Sequence, residues 1–238
     1  MSTTVIGHRG SAGQYPENTL VSIQSALEQG CQWVEIDVQP TRDDYLVVCH
    51  DHTIDRCSNG QGRIDEFTLE ELKGFDFGSW HAITPSPQTI LTLEELLTFA
   101  HQQGLKVNIE VKIDRHNAKH VAQEVHRVLE AHDIPLHDIV LSSFNQEVLR
   151  HLAQLNADYP IGVLEEALSD QGKHLIQELN AFSCHLNYRH VKEEDIQWLK
   201  QHKVKAWCYT VNLAKDFSLL AQVDGIFTDW PARFIEID

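Results

Sequence analysis

Nine short apolar runs recur along the chain with amphipathic segments between most of them, and this alternation restricts the fold more than any other feature. The runs cover residues 4–8, 33–38, 46–50, 106–112, 139–144, 161–164, 182–186, 204–209 and 225–228, and helical periodicity fills 18–29, 92–103, 118–132, 146–153 and 193–202. Strand and helix in alternation imply a parallel sheet covered by helices. Nine strands are one too many for an eight-stranded barrel. Only Thr41, Arg42, Asp43 and Asp44 separate the second run from the third, and a parallel crossover needs about a dozen residues or more, so this link is an antiparallel hairpin. Setting its return strand aside leaves eight parallel strands, the number in a (β/α)8 TIM-type barrel.

The expected organisation is one domain over residues 1–238, with a small insertion at about 52–90 lying over the barrel mouth. That stretch carries Ser58-Asn59-Gly60-Gln61-Gly62 and Pro85-Ser86-Pro87, residues that favour turns.

Four polar clusters close apolar runs: His8-Arg9-Gly10, Glu35-Ile36-Asp37, His50-Asp51 and Glu110-Val111-Lys112. Charged groups are seldom kept inside a fold unless they are paired or bound to metal. Alternate residues of a strand share a face, so Glu35 and Asp37 point together, as do Asn108, Glu110 and Lys112. Glu35, Asp37 and Glu110 can thus converge on a hard divalent cation, for which Mg2+ or Ca2+ fits carboxylate oxygen better than Zn2+ does. An isolated E-x-D is more often a surface ladder paired with Lys112 or Arg9, but four clusters together reverse that balance.

The hairpin is expected to bring His50 beside Asp37 across the ladder. Imidazole titrates near neutrality, which makes His8 and His50 the acid/base candidates, while His101, His126, His151 and His202 are read as exposed and inert. Arg9 offers a planar fork for phosphate oxygens and Lys112 a point charge, with Gly10 relieving crowding beside them. Asn18 is read as a helix cap, and Glu17 as orienting Arg9 or a metal-bound water. Phe144 and Tyr209 either line a substrate pocket or pack in the barrel. Trp80 and His81 either touch the substrate's alcohol or pack within the insertion.

The formal charge of −16 opposes binding to nucleic acid or anionic membranes. Five scattered cysteines without a C-x-x-C pair read as reduced thiols. With no export-type apolar segment near Met1 and no run of about eighteen apolar residues, the expected location is cytoplasmic, without stable membrane insertion.

Taken in order, Gly7-His8-Arg9-Gly10, Pro16-Glu17-Asn18-Thr19, Glu35-Ile36-Asp37-Val38, His50-Asp51, Ser58-Asn59-Gly60, Asn108-Ile109-Glu110-Val111-Lys112, Leu141-Ser142-Ser143-Phe144, His185-Leu186-Asn187, Tyr209-Thr210-Val211-Asn212 and Asp224-Gly225-Ile226 resemble the glycerophosphodiester phosphodiesterase family, in its compact bacterial cytosolic form. The resemblance implies hydrolysis of small-molecule glycerophosphodiesters to sn-glycerol 3-phosphate and an alcohol. It implies one divalent cation on Glu35, Asp37 and Glu110, and acid/base catalysis by His8, the base, and His50, the donor to the leaving alcohol. Arg9, Lys112, Phe144 and Tyr209 are the expected substrate contacts. Ile113 stands where proline is frequent in the family, and Ile90-Leu91-Thr92 replaces a proline-containing approach to the next helix. Two other readings share these residues, a lysophospholipase D-like phosphodiesterase and an inactive phosphate-binding relative. The preferred alcohol and the oligomeric state stay open.

Overall fold

The computed structural model describes residues 3–132 and 134–235. Its strands are β1 (Thr4–His8), β2 (Trp33–Pro40), β3 (Leu46–Val48), β4 (Lys106–Val111), β5 (Ile139–Ser143), β6 (Ile161–Glu165), β7 (Ser183–Asn187), β8 (Lys205–Tyr209) and β9 (Gly225–Thr228). Eight of them pair in parallel in the order β1-β9-β8-β7-β6-β5-β4-β2, and β1 also pairs with β2, so the ring closes. β3 runs antiparallel to β2 outside the ring, with Val38 opposite Val48 and Pro40 opposite Leu46. This is the expected (β/α)8 barrel with an added hairpin strand.

The helices are α1 (Leu20–Glu28), α2 (Leu69–Lys73), α3 (Leu93–Gln103), α4 (Ala118–Ala131), α5 (Gln146–Leu155), α6 (Asp170–Glu178) and α7 (Glu193–Gln201). Two of these, α2 and α6, were not among the expected helices. In α6 the periodic pattern is broken by Gly172, where a Cβ would fall 2.1 Å from the Glu165 carboxylate. Thr92 caps α3 and exchanges hydrogen bonds with Glu95, so the helix starts cleanly without the family's proline.

Period-two alternation divides every barrel strand between two cores. Val34, Ile36 and Val38 of β2, with Val107, Ile109 and Val111 of β4, face the helices and join the main apolar core. Inside the ring, Ile6, Val140, Trp207 and Phe227 fill the floor. The polar residues of the same strands lie on this inner side, above that floor. Residues 52–90 pack their own small core from Ile54, Ile64, Leu72, Phe77 and Ile90 against Val47 and Cys49.

All five cysteines are free and buried, and burial pushes the thiols of Cys31, Cys57 and Cys208 up to about 12. At pH 8 the native protein should therefore release less than one equivalent in a thiol-reagent assay over minutes, and five only after denaturation. Rapid labelling of several thiols in the folded protein would contradict this packing.

Candidate active site

The inward-facing residues at the C-terminal ends of the strands form one cavity of about 240 Å³, lined by His8, Arg9, Glu35, His50, Asn108, Glu110, Lys112, Phe144, Leu164, Glu166, His185, Tyr209, Thr210 and Phe227. Strand register sets its acidic wall. Glu35 stands opposite His8 on one side and Asn108 on the other, and Asp37 stands opposite Glu110. One carboxylate oxygen from each of Glu35, Asp37 and Glu110 falls within 4.8 Å of the others.

Oxygen ligands sit about 2.0–2.6 Å from Mg2+ or Ca2+, so that spacing fits three ligands around one ion. A second observation agrees. Glu35 Oε1 and Asp37 Oδ1 are buried without a hydrogen-bond partner, a costly state for a carboxylate that an ion would relieve. The donor set is all oxygen, as a hard divalent cation requires.

Two cations hold this wall together. Arg9 donates from its backbone N–H to Glu35 at 3.0 Å, and its guanidinium lies 2.7 Å from Glu17 and 3.3 Å from Asp37. Lys112 Nζ lies 2.9 Å from Glu110 and 3.7 Å from Asp37. Burial, then repulsion from Asp37 and Glu110, raises the Glu35 carboxyl well above its ordinary range, and burial with Asp37 raises Glu110. Burial also acts on Asp37, but Arg9 and Lys112 outweigh it and keep that carboxylate ionised.

The two candidate acid/base histidines are held alike. His8 Nδ1 lies 2.6 Å from Asp229 Oδ1, and Asp229 Oδ2 accepts from Asn212 Nδ2 at 2.7 Å. His50 Nδ1 lies 2.7 Å from Asp51 Oδ1. In each case the carboxylate fixes the ring and leaves Nε2 available. For Asp229, burial acts upward, but the hydrogen bond and charge of His8 hold the carboxyl below its ordinary range. Asp51 is bound in turn by Arg56 Nε at 2.7 Å, and Arg56 spans to Glu17 through two bonds of 2.7 and 2.8 Å. Because Glu17 also holds Arg9, a continuous charged chain joins His50 to the acidic wall.

All the expected site residues meet here, with three corrections. Cys49, not His50, stands next to Asp37 across the hairpin, its N–H bonding Asp37 O at 3.0 Å. β3 ends at Val48, and His50 reaches the cavity from the turn that follows. Asn18 does not cap α1. Thr19 does, while Asn18 Nδ2 donates to Asp37 Oδ2 at 2.9 Å. Trp80 and His81 line no part of the cavity; Trp80 Nε1 donates to Phe77 O within the insertion.

Sequence reasoning passed over Asp229, Arg56, Glu166 and a role for His185. Asp229 immediately follows β9, the same strand-end signal that marked the other clusters. His185 is fully buried, stacked on Trp207 with ring centroids 5.1 Å apart, and desolvation pushes its imidazole down to about 3, so it stays neutral.

Ionisable groups gathered over the C-terminal face of a filled barrel are the mark of TIM-barrel enzymes, and the acidic wall makes this one suited to a divalent cation. Residues 8–233 match the glycerophosphoryl diester phosphodiesterase family, and the chain belongs to that family. A glycerophosphodiester phosphodiesterase of Caldanaerobacter subterraneus subsp. tengcongensis is 33% identical over 239 residues, covering 100% of this chain and 98% of the relative. One from Bacillus altitudinis is 31% identical over 99% of this chain and 98% of its own. The solved structure of an Oleispira antarctica phosphodiesterase, in complex with the product sn-glycerol-3-phosphate, superposes with a TM-score of 0.91 at 31% identity, covering 98% of this chain and 95% of that one.

A metal titration tests the acidic wall. Mg2+ or Ca2+ added to chelator-treated protein at 100 times its dissociation constant should stabilise the fold by about 2.7 kcal/mol, read as a rise in Tm, and Glu35→Gln should abolish the rise. The raised carboxyls of Glu35 and Glu110 favour the ion-free protein at low pH, and that contribution is lost as pH climbs through their raised values. Cations compete with the same protons, so at a fixed ion concentration the metal-induced rise should grow as pH climbs above the ordinary carboxylate range and through these raised values. No rise with either ion would refute the cation site.

Proposed function

We propose that this protein hydrolyses glycerophosphodiesters to sn-glycerol 3-phosphate and an alcohol, with His8 and His50 as the acid/base pair and Glu35, Asp37 and Glu110 as ligands of one Mg2+ or Ca2+. The observation that carries the reading is the paired geometry: two histidines, each backed by a carboxylate at Nδ1, open into one cavity beside a buried acidic cluster. When bound, the cation would lower the pKa of a nearby hydroxyl and offset charge on the phosphoryl oxygens.

The chain's own residues account for the proton movements. Asp229 holds the His8 Nδ1 proton, so Nε2 takes the proton of the glycerol hydroxyl next to the phosphate. That oxygen bonds to phosphorus, the bond from phosphorus to the alcohol oxygen breaks, and His50 Nε2 gives the alcohol its proton. In the second half, water attacks the cyclic phosphate, His50 takes its proton, and His8 returns a proton to the departing glycerol oxygen. Arg9 and Lys112 stabilise charge developing on the phosphoryl oxygens. Asn18 and Glu17 position Asp37 and Arg9 for that task.

We further propose that residues 52–90 work as part of the same single domain, supplying Arg56 to steady Asp51 and Glu17. Five buried thiols support work in a reducing, cytoplasmic setting, and among the described residues no helix is long and apolar enough to cross a membrane.

Release of glycerol 3-phosphate from glycerophosphocholine and glycerophosphoethanolamine, by metal-stripped protein with and without Mg2+ or Ca2+, tests the reading. His8→Ala and His50→Ala should each lower kcat by about 10²–10⁴-fold. No turnover from folded protein with either ion would reject it. Asp229→Asn should lower kcat by about 10²–10⁴-fold with little change in KM or Tm, because it spoils the tautomer of His8 and not its place. Unchanged kcat would show that Asp229 is only a packing partner.

A further inference from the structure

The cavity has two chemically different walls. Arg9, Lys112 and the acidic cluster form one. Across the barrel, beyond the ends of β5 and β6 and at the end of β8, stand Phe144, Glu166 and Tyr209. Phe144 keeps 48% of its surface exposed although the chain has ample core to hide it. Its ring meets that of Tyr209 at 86° with centroids 6.1 Å apart, so two aromatic rings make a corner on the cavity. The Tyr209 hydroxyl donates to Glu165 O at 3.0 Å, which fixes its ring.

Glu166 borders this corner. Its Oε1 lies 3.4 Å from the Tyr209 hydroxyl and its Oε2 accepts from Asn187 Nδ2 at 2.9 Å, so the carboxylate is held in place. Among the described residues its ionic contact is His190 at 3.4 Å, and no lysine or arginine comes within 4.0 Å. Of the other carboxylates lining the cavity, Glu110 pairs with Lys112 at 2.9 Å, and Glu35 accepts from the Arg9 backbone N–H inside the acidic cluster that the cation would occupy. Glu166 is thus a positioned negative charge on the rim, away from the acidic cluster and with no lysine or arginine among the described residues within 4.0 Å, beside the exposed Phe144 ring and the half-buried Tyr209 ring.

We infer that this rim is the subsite for a positively charged amine on the leaving alcohol, so that zwitterionic glycerophosphodiesters are the preferred substrates; the inference rests on the hydrolase reading above. A diester phosphate carries a negative charge that belongs with Arg9 and Lys112. An ammonium group a few bonds farther along the alcohol meets ring faces, which attract cations, and a carboxylate, which neutralises one. A neutral polyol finds neither attraction, and an anionic alcohol is repelled by Glu166. The two walls separate charge in the same sense as a zwitterion.

The test compares kcat/KM for glycerophosphocholine, glycerophosphoethanolamine and glycerophosphoglycerol, whose alcohol is uncharged, in the wild type, Glu166→Gln and Phe144→Leu. The wild type should favour both cationic alcohols by about tenfold or more. Glu166→Gln should lower kcat/KM for the two substrates with cationic alcohols by about tenfold while leaving glycerophosphoglycerol within about twofold, and Phe144→Leu should lower it for those two by about fivefold or more beyond any fall on glycerophosphoglycerol. Both positions are largely exposed, so the variants should fold. Equal wild-type values for all three substrates, a parallel fall on all three in Glu166→Gln, or no change in either variant would overturn the subsite while leaving the hydrolase reading intact. Absence of hydrolysis of every diester by the wild type would overturn both.

Discussion

Three carboxylates brought to one point inside a protein repel each other, and most of what surrounds this site answers that repulsion. Two unit charges about 4 Å apart interact by about 4 kcal/mol at an effective dielectric of about 20, and here Glu35, Asp37 and Glu110 gather where water is scarce. The register of β2 against β4 makes the convergence unavoidable, since Asp37 and Glu110 are direct neighbours across the ladder. Arg9 and Lys112 supply fixed positive charge, and the Asn18 amide and Arg9 backbone N–H supply hydrogen bonds. Even so, two carboxylate oxygens remain unpartnered. The fold thus carries a standing electrostatic cost at its centre that a divalent cation would relieve.

The histidines solve a different problem by a shared device. An imidazole that is to exchange protons must keep one nitrogen in a fixed role, and Asp229 and Asp51 hold the Nδ1 of His8 and His50 in a way that suits the proposed pair. Their supports differ in origin. Asp229 is steadied by Asn212 from the segment after β8, whereas Asp51 is steadied by Arg56 from the insertion. Through Glu17, Arg56 also touches the guanidinium that neutralises the acidic wall. The insertion therefore reaches the site through one arginine, without lining the cavity with its aromatic residues.

Much of this was legible in the sequence because the barrel writes its plan in a period of two. β1 and β9 fall on the expected residues, and the E-x-D and E-x-K pairs point inward as alternation requires. Hairpin register was less legible. A shift of one residue decides whether His50 or Cys49 faces Asp37, and strand pattern alone does not place the last ladder bond. Asn18 misled because a small polar residue ahead of a helix has two uses, capping and reaching away. With Thr19 beside it to cap, Asn18 adopts a positive φ and turns to Asp37. α6 escaped notice because Gly172 interrupts its periodicity for a packing reason, room for Glu165, that no local pattern carries. Glu166 gave no signal, because what sets it apart is its surroundings in space: among the described residues no lysine or arginine lies within 4.0 Å of it.

The His8 to Asp229 contact joins residues 221 positions apart in the chain. It exists only where β1 lies against β9, the seam at which the sheet becomes a closed ring. Closing so long a loop carries an entropic cost that few local contacts offset in advance. A chain with every helix formed but the seam open would keep most of its structure and its acidic wall, yet leave His8 without its carboxylate. On the proposed roles, catalytic competence would therefore report ring closure: fraying of either terminal strand would cost activity while most of the barrel still stood.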